Sequence, residues 1–275
     1  MSRLILEPYP ADGQTDRRPL FLGGAAAVVL TIFVIAPGDI AAKTHLALHG
    51  LCAQRPSHSL QIGDSTLPMD ARMTGIYTGA AATMIWLIAA RRLRSTRAPS
   101  LPVLVVLASF LLALAVDGFN ALLVDLRLPT LYEPSNFLRL ATGVLAGTSL
   151  GVALGHLFAS STWMRSTRHQ AVVTRPVELL VPISLSAATA ALALLDVPLL
   201  YAPFAVGLLV AAVGVFWLFG LVVLAPLFKR GWSCRTWGDL VPLALTSLVA
   251  AIAGVSALAS LRFAAERLIG LPKLT

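Results

Sequence analysis

Seven apolar runs of about the length that crosses a bilayer, roughly 20 residues each, dominate the chain: Pro19–Pro37, Met73–Ala90, Leu101–Val124, Phe137–Ser160, Glu178–Leu195, Leu200–Phe228 and Leu240–Leu261. Nothing else constrains the fold as strongly. In hydrocarbon each segment must satisfy its own backbone polar groups, and runs of this kind then have one solution, the α-helix. Composition agrees, since 57% of the residues are apolar, only 12% are charged, and mean hydropathy is +0.81. An ordinary soluble domain carries about 25% charged residues. The expected fold is all-α, a polytopic transmembrane helix bundle of about seven spans.

Loops that stay in the cytoplasm carry the Lys and Arg excess, so the basic residues orient the bundle. Arg3, Arg17 and Arg18 precede the first run, Arg91, Arg92, Arg94 and Arg97 follow the second, Arg165, Arg168 and Arg175 follow the fourth, and Lys229, Arg230 and Arg235 follow the sixth. These thirteen are well over half of the 21 Lys and Arg, and they fall in alternate loops. The N-terminus is expected in the cytoplasm and the C-terminus outside. Asp39, Asp64, Asp70, Asp125 and Glu133 occupy the opposite loops. Arg262, Arg267 and Lys273 then lie on the outer side against the trend, which a surface-lying helix with Glu266 four residues from Arg262 would accommodate. The net charge of +8 and pI near 10.3 are therefore a topological signal. A nucleic-acid surface would concentrate its charge on one element, so no nucleic-acid partner is expected. Trp163, Trp232 and Trp237 flank the basic loops as interfacial anchors. Arg17-Arg18 before the first run and Ala41-Ala42 after it resemble a signal peptide, but the run exceeds a typical h-region and is read as an uncleaved anchor. Cys52 and Cys234 fall on opposite sides of the membrane and cannot pair.

The chain divides into a four-helix membrane domain, residues 1–160, with an outer polar loop at 38–72; a cytoplasmic linker, 161–176; and a three-helix segment, 177–275. Pro182, Pro203 and Pro226 mark kinks or helix ends in the last part. In the fourth run Gly143, Gly147, Gly151 and Gly155 recur every fourth residue and share one helix face. Such faces let helices approach closely in lipid. Gly75, Gly79 and Thr83 of the second run offer a mate, and a docking face for another subunit is the alternative use.

Charged groups at membrane depth cost roughly 2.5–3.5 kcal/mol at the bilayer centre and read as sites or buried pairs. Asp117 and Asn120 lie late in the third run, Asn136 and Arg139 early in the fourth, and Arg72 and Tyr77 at the start of the second. Asp117 is about 24 Å along a helix from Leu101, near the outer boundary. Its expected partner is Arg139 or Arg72. The six residues form either a register-fixing ion-pair cluster or a polar pocket that opens outward. His45, His49 and Cys52 fall at i, i+4 and i+7, and with Asp70 or His58 they make a candidate transition-metal set for zinc or copper. The alternative is an interfacial helix whose histidines face headgroups. His156 is a polar tip near the inner interface or a proton relay. No nucleophile–base pair, paired carboxylates or phosphate-cradling loop is recognisable.

Leu51-Cys52-Ala53-Gln54-Arg55-Pro56, then Leu67-Pro68-Met69-Asp70-Ala71-Arg72-Met73-Thr74-Gly75-Ile76-Tyr77-Thr78-Gly79, resembles the prokaryotic membrane family called domain of unknown function 2085. That family typically reads Cys-His-Gln, then Pro and Arg-Ser, then Cys-Ala-Arg-Cys-Thr-Gly-Ile-Tyr. Asp117-Gly118 and Asn136 through Gly143 resemble its later polar pattern, so the likeness spans about Leu51–Gly155. It implies a helical inner-membrane domain with no established activity. Here Ala53, Asp70 and Met73 stand where the family has His and two Cys, and only Cys52 remains. Disulfide exchange within the chain is thereby excluded. Gln54, Pro56, Arg72, Thr74, Gly75, Tyr77, Gly79, Asp117, Asn136, Arg139 and Gly143 persist. A chain that keeps packing residues and loses reactive ones is expected to be a non-catalytic accessory or structural subunit of a larger inner-membrane complex, with lipid and other membrane subunits as partners. An outward-facing binding or transport protein is the alternative, and an enzyme the third.

Overall fold

The computed structural model describes residues 18–163, 168–228, 231 and 233–269. Arg3, Arg17, Arg165, Lys229, Arg230, Trp232 and Lys273, named above, lie outside them. The helices are α1 (Arg18–Ile35), α2 (Ile40–Leu48), α3 (Ala71–Ala89), α4 (Leu101–Asp125), α5 (Asn136–Thr162), α6 (Leu180–Ala193), α7 (Tyr201–Leu227) and α8 (Trp237–Ile269). Among the described residues, five segments are long and apolar enough to cross a membrane: Leu101–Asp125, Asn136–Thr162, Pro176–Ala193, Pro198–Leu227 and Trp237–Ile269. The other two expected spans differ for local reasons. The apolar part of α1, Leu20–Ile35, is shorter, and α3 is diluted by Arg72, Thr74, Thr78 and Thr83.

α5 is the central helix, with 61% of its apolar window buried against 17% for α4 at the periphery. Its glycines are the cause. A Cβ on Gly75 or Gly143 would run into the backbone of the facing helix, at Leu140 and Arg72 respectively, and one on Gly79 would stand 2.5 Å from the Val144 carbonyl. Gly147 meets the Ile76 backbone and Gly151 the Thr83 side chain, so α3 and α5 touch backbone to backbone along their length. In lipid, where apolar burial gives helices no mutual attraction, dispersion at such distances supplies it. Gly155 differs, meeting only the flexible ends of Leu87 and Met84. Ser149 donates to the Leu107 carbonyl of α4 at 3.1 Å. α7 and α8 are clamped by Ser247 donating to Trp217 O at 2.6 Å and Trp217 Nε1 donating to Ala244 O at 2.9 Å. Leu48 and Tyr77 share one core with Tyr201, Leu208 and Ala212, so helices from both ends of the sequence pack together.

The polar passage at 38–72 is an ordered cap. Asp39 accepts from Ala41 N at 2.9 Å and Ala42 N at 3.3 Å, starting α2. Lys43 Nζ folds back to donate to the Phe33, Val34 and Ala36 carbonyls at the end of α1, at 3.1, 3.0 and 2.7 Å. An antiparallel hairpin follows, β1 (Ser59–Ile62) and β2 (Ser65–Asp70), turning at Gly63 with φ of 59°. Ile62, Leu67 and Met69 point into the core. At the opposite end β3 (Ser95–Arg97) lies parallel to β4 (Arg168–Ala171). α8 runs unbroken to Ile269, about 50 Å at 1.5 Å per residue, so Arg262 and Glu266 belong to the end of that helix. Among the described residues, Arg262, Glu266 and Arg267 form no separate surface-lying helix.

Candidate functional site

The polar residues singled out in the sequence gather at the end of the bundle where α2, the hairpin and the first turn of α3 meet the last turns of α4 and α8. They form two clusters. The first contains His49, Cys52 and Asp70, three residues of the expected ligand set. α2 ends at Leu48, His49 is its C-cap, and the chain turns away with Leu51 N donating to Leu48 O at 3.0 Å. The helical spacing that would align His45, His49 and Cys52 therefore stops before Cys52. His45 Nδ1 lies 3.0 Å from Ala41 O on its own helix. The His49 ring stacks on Phe263 at 4.0 Å, with Nδ1 3.0 Å from Gln54 Oε1 and Nε2 2.9 Å from Glu266 Oε2. Cys52 Sγ accepts from Gln54 N at 3.4 Å and Asp70 N at 3.2 Å, and Asp70 caps α3 by accepting from Met73 N at 2.8 Å. Among the described residues no group of three or more His, Cys, Asp or Glu is arranged to hold a metal ion.

Burial, then the charge of Asp70, pushes the Cys52 thiol from its ordinary 9.0 up to about 11. A thiol held protonated is a poor nucleophile and a poor ligand. Gln54 and Arg262 hold this cluster together. Gln54 sits at φ of 55°, and its amide donates to His45 O at 2.9 Å and Pro68 O at 3.0 Å, which turns its oxygen toward His49. Arg262 donates to His49 O at 2.7 Å and to Cys52 O, and its Nε donates to Glu266 Oε1 at 2.8 Å. Gly50 permits the approach, since a Cβ there would enter the backbone of Leu258 and Ala259. The persistence of Gln54 in the resemblance pointed to its role. The local pair with Glu266 marked Arg262, but nothing local pointed to its carbonyl partners, which lie about 210 residues away in the chain.

The second cluster contains the intramembrane pair. Asp117, 2% exposed, takes two bonds from Arg72, Nε at 3.1 Å and Nη2 at 2.5 Å, and its other oxygen accepts from the Tyr132 hydroxyl at 2.9 Å. Asn120, fully buried, orders the same loop by donating to Tyr132 O at 3.0 Å and accepting from Leu131 N at 2.8 Å. Tyr132 escaped sequence reading because it stands in a polar connection. Arg139 is a neighbour of this pair and not a partner in it. It is 7% exposed and donates to Asn136 Oδ1 at 2.9 Å, while Asn136 donates to Ser57 O at 3.1 Å. Among the described residues no carboxylate forms an ion pair with Arg139. Burial, then Arg139 and Arg55, hold the His58 imidazole below its ordinary range, so it adds no positive charge beside them at neutral pH. Tyr77 lies elsewhere, in the apolar core with Cys52 and Leu48. His156 stands toward the other end of α5, its Nδ1 buried without a hydrogen bond among the described residues.

Chemically the first cluster is closed. The second offers one buried guanidinium whose hydrogen-bond partner is neutral.

Residues 52–153 match the model of a family described as a predicted membrane protein, domain of unknown function 2085, which is the family that the sequence resembles. No curated protein and no solved structure matches the chain.

Proposed function

We propose that the chain is a non-catalytic integral protein of a prokaryotic inner membrane, an accessory or structural subunit of a larger membrane complex, crossing the bilayer seven times with its N-terminus cytoplasmic and its C-terminus outside. One observation carries the reading: most of the groups that could do chemistry are consumed in holding the fold. Cys52, His49 and Asp117 carry bonds that tie separate elements together, and the Asp70 carboxylate caps α3. Leaving a buried partner unmade costs about 1–3 kcal/mol, so redirecting any of them to a substrate would be opposed by the fold itself. The orientation is supported by the gathering of Arg91, Arg92, Arg94 and Arg97 at one end of the bundle, and by the absorption of Arg262 into backbone carbonyls and Glu266 at the other. The glycine face is buried between α3 and α5, so a partner subunit would meet the exposed apolar side of α4, where Val105, Leu112 and Phe119 are 61%, 64% and 55% exposed. The test is native electrophoresis of the tagged chain after mild detergent extraction from its own membranes. Co-migration with defined polypeptides is expected, and a lone monomer would overturn the reading.

Arg139 favours a second reading, an outward-facing binding site for a small anion. An unpaired buried charge is expensive, and an anionic ligand would relieve it. Binding of phosphate or a short carboxylate that Arg139→Gln abolishes without changing the unfolding temperature would favour this reading over the first. Absence of any such binding would remove it.

A further inference from the structure

A groove of about 1060 Å³ runs along the outside of the bundle between α3 and α7. Its walls are apolar, with Met84, Ile88, Val210 and Leu218 among them, and it is open to the surroundings. On α3 it extends from Ala80 to Arg91, about 16 Å at 1.5 Å per residue, which is the depth of one leaflet of a hydrocarbon core about 30 Å thick.

The charged residues lining it, Arg91 and Arg94, lie together at one end, beside Trp237. The Arg94 guanidinium stands over the Trp163 ring at 4.4 Å and near the Trp237 ring at 5.4 Å, and its Nε is buried without a hydrogen bond among the described residues. Arg91 follows the last turn of α3 with φ of 55°, and there Arg91 N donates to Ile88 O and Arg92 N to Leu87 O. That is the left-handed helix-end position where glycine is the usual residue.

An apolar trough one leaflet deep, with two guanidinium groups and an indole at its headgroup end, is complementary to one class of molecule. Basic pockets between membrane helices recognise anionic headgroups. We infer that this groove is a binding site for an anionic phospholipid, with one acyl chain lying between α3 and α7 and the phosphate held by Arg91 and Arg94. A partner helix would have no use for paired cations at that depth. Under the orientation proposed above, the occupied leaflet is the cytoplasmic one.

The test uses the full chain, delipidated in mild detergent and offered phosphatidylglycerol or phosphatidylcholine of identical acyl chains, with bound lipid read by native mass spectrometry. One phosphatidylglycerol per chain should be retained at least about tenfold better than phosphatidylcholine. The Arg91→Gln, Arg94→Gln double variant should abolish that preference. Because removing Arg94 also removes its stacking on tryptophan, a second variant acts on the tail. A Cβ at Gly207 meets nothing within 4 Å, so Gly207→Leu should fill the groove, leave the unfolding temperature unchanged and reduce lipid retention about tenfold. Equal retention of the two lipids by the wild type, unchanged retention in Gly207→Leu, or a polypeptide held in place of lipid would each overturn the inference.

Discussion

At the residue scale, Asp117 and Cys52 illustrate how burial sets the role of a reactive group. Asp117, at 2% exposure, is held by Arg72 and Tyr132. Removing one partner of a buried pair costs about 3–5 kcal/mol, and the exposure of the Arg72 side chain, 25%, lowers that. Asp117→Asn should destabilise the chain by about 2–4 kcal/mol, measured by thermal unfolding in detergent, and adding Arg72→Met should restore part of the loss. Cys52 is held as a thiol. With its folded value near 11 against 9.0 in the unfolded chain, its thiolate fraction at pH 8 is about a hundredfold lower than that of an unburied cysteine, so alkylation should be slower by at least that factor. The sign for stability follows from the same shift. The folded state holds the proton more tightly, so the contribution is full below pH 9 and is lost as pH rises toward about 11. Unfolding curves of the wild type should fall faster than those of Cys52→Ala across that window, and parallel curves would contradict the assignment.

At the element scale, the α3–α5 contact makes a graded prediction. Overpacking costs typically about 1–3 kcal/mol, and it should be worst where the obstacle is backbone. Gly147→Ala faces the Ile76 backbone, whereas Gly155→Ala faces only the ends of Leu87 and Met84. The first should lower the unfolding temperature of the isolated chain and the second should leave it nearly unchanged; equal tolerance at both positions would mean that the glycines serve an external surface. Arg262 makes the corresponding prediction for the cap. Arg262→Ala frees the carbonyls of His49 and Cys52 from α8 and should raise the alkylation rate of Cys52 by about tenfold, an effect invisible if the loop is held by the hairpin alone. Much of the helix content was legible in the sequence, because apolar runs in lipid have one conformation available: Leu101–Val124 became Leu101–Asp125 and Phe137–Ser160 became Asn136–Thr162. The hairpin was missed although its signal was present. Gly63-Asp64 separates two short runs whose apolar residues alternate, but between membrane runs the passage reads as a polar loop. The spacing that suggested the metal set was misread for a related reason, since helical periodicity was extended past the residue where α2 ends.

At the scale of the whole molecule, the bundle has two unlike ends. One carries the hairpin, the Arg72–Asp117 pair and the Arg262 cap; the other carries Arg91, Arg92, Arg94 and the aromatic and cation–π contacts around Trp163 and Trp237. The arginine bias between loops made this polarity legible, because charge distribution is a property of the sequence alone. Which side chains meet across 200 residues is a property of packing, and Arg262 with Cys52 and Glu266 with His49 could not be read in advance. If the ends face the cytoplasm and the outside as proposed, a reporter fused after Thr275 should be active only on the outer side and one placed in the loop near Arg97 only on the inner. The proposal that this chain works through association has a direct test. The most direct measurement is the native mass of the protein extracted from its own membranes in mild detergent. The account predicts a mass that includes other polypeptides and leaves no increment for a transition metal; the bare chain carrying a stoichiometric metal would contradict it.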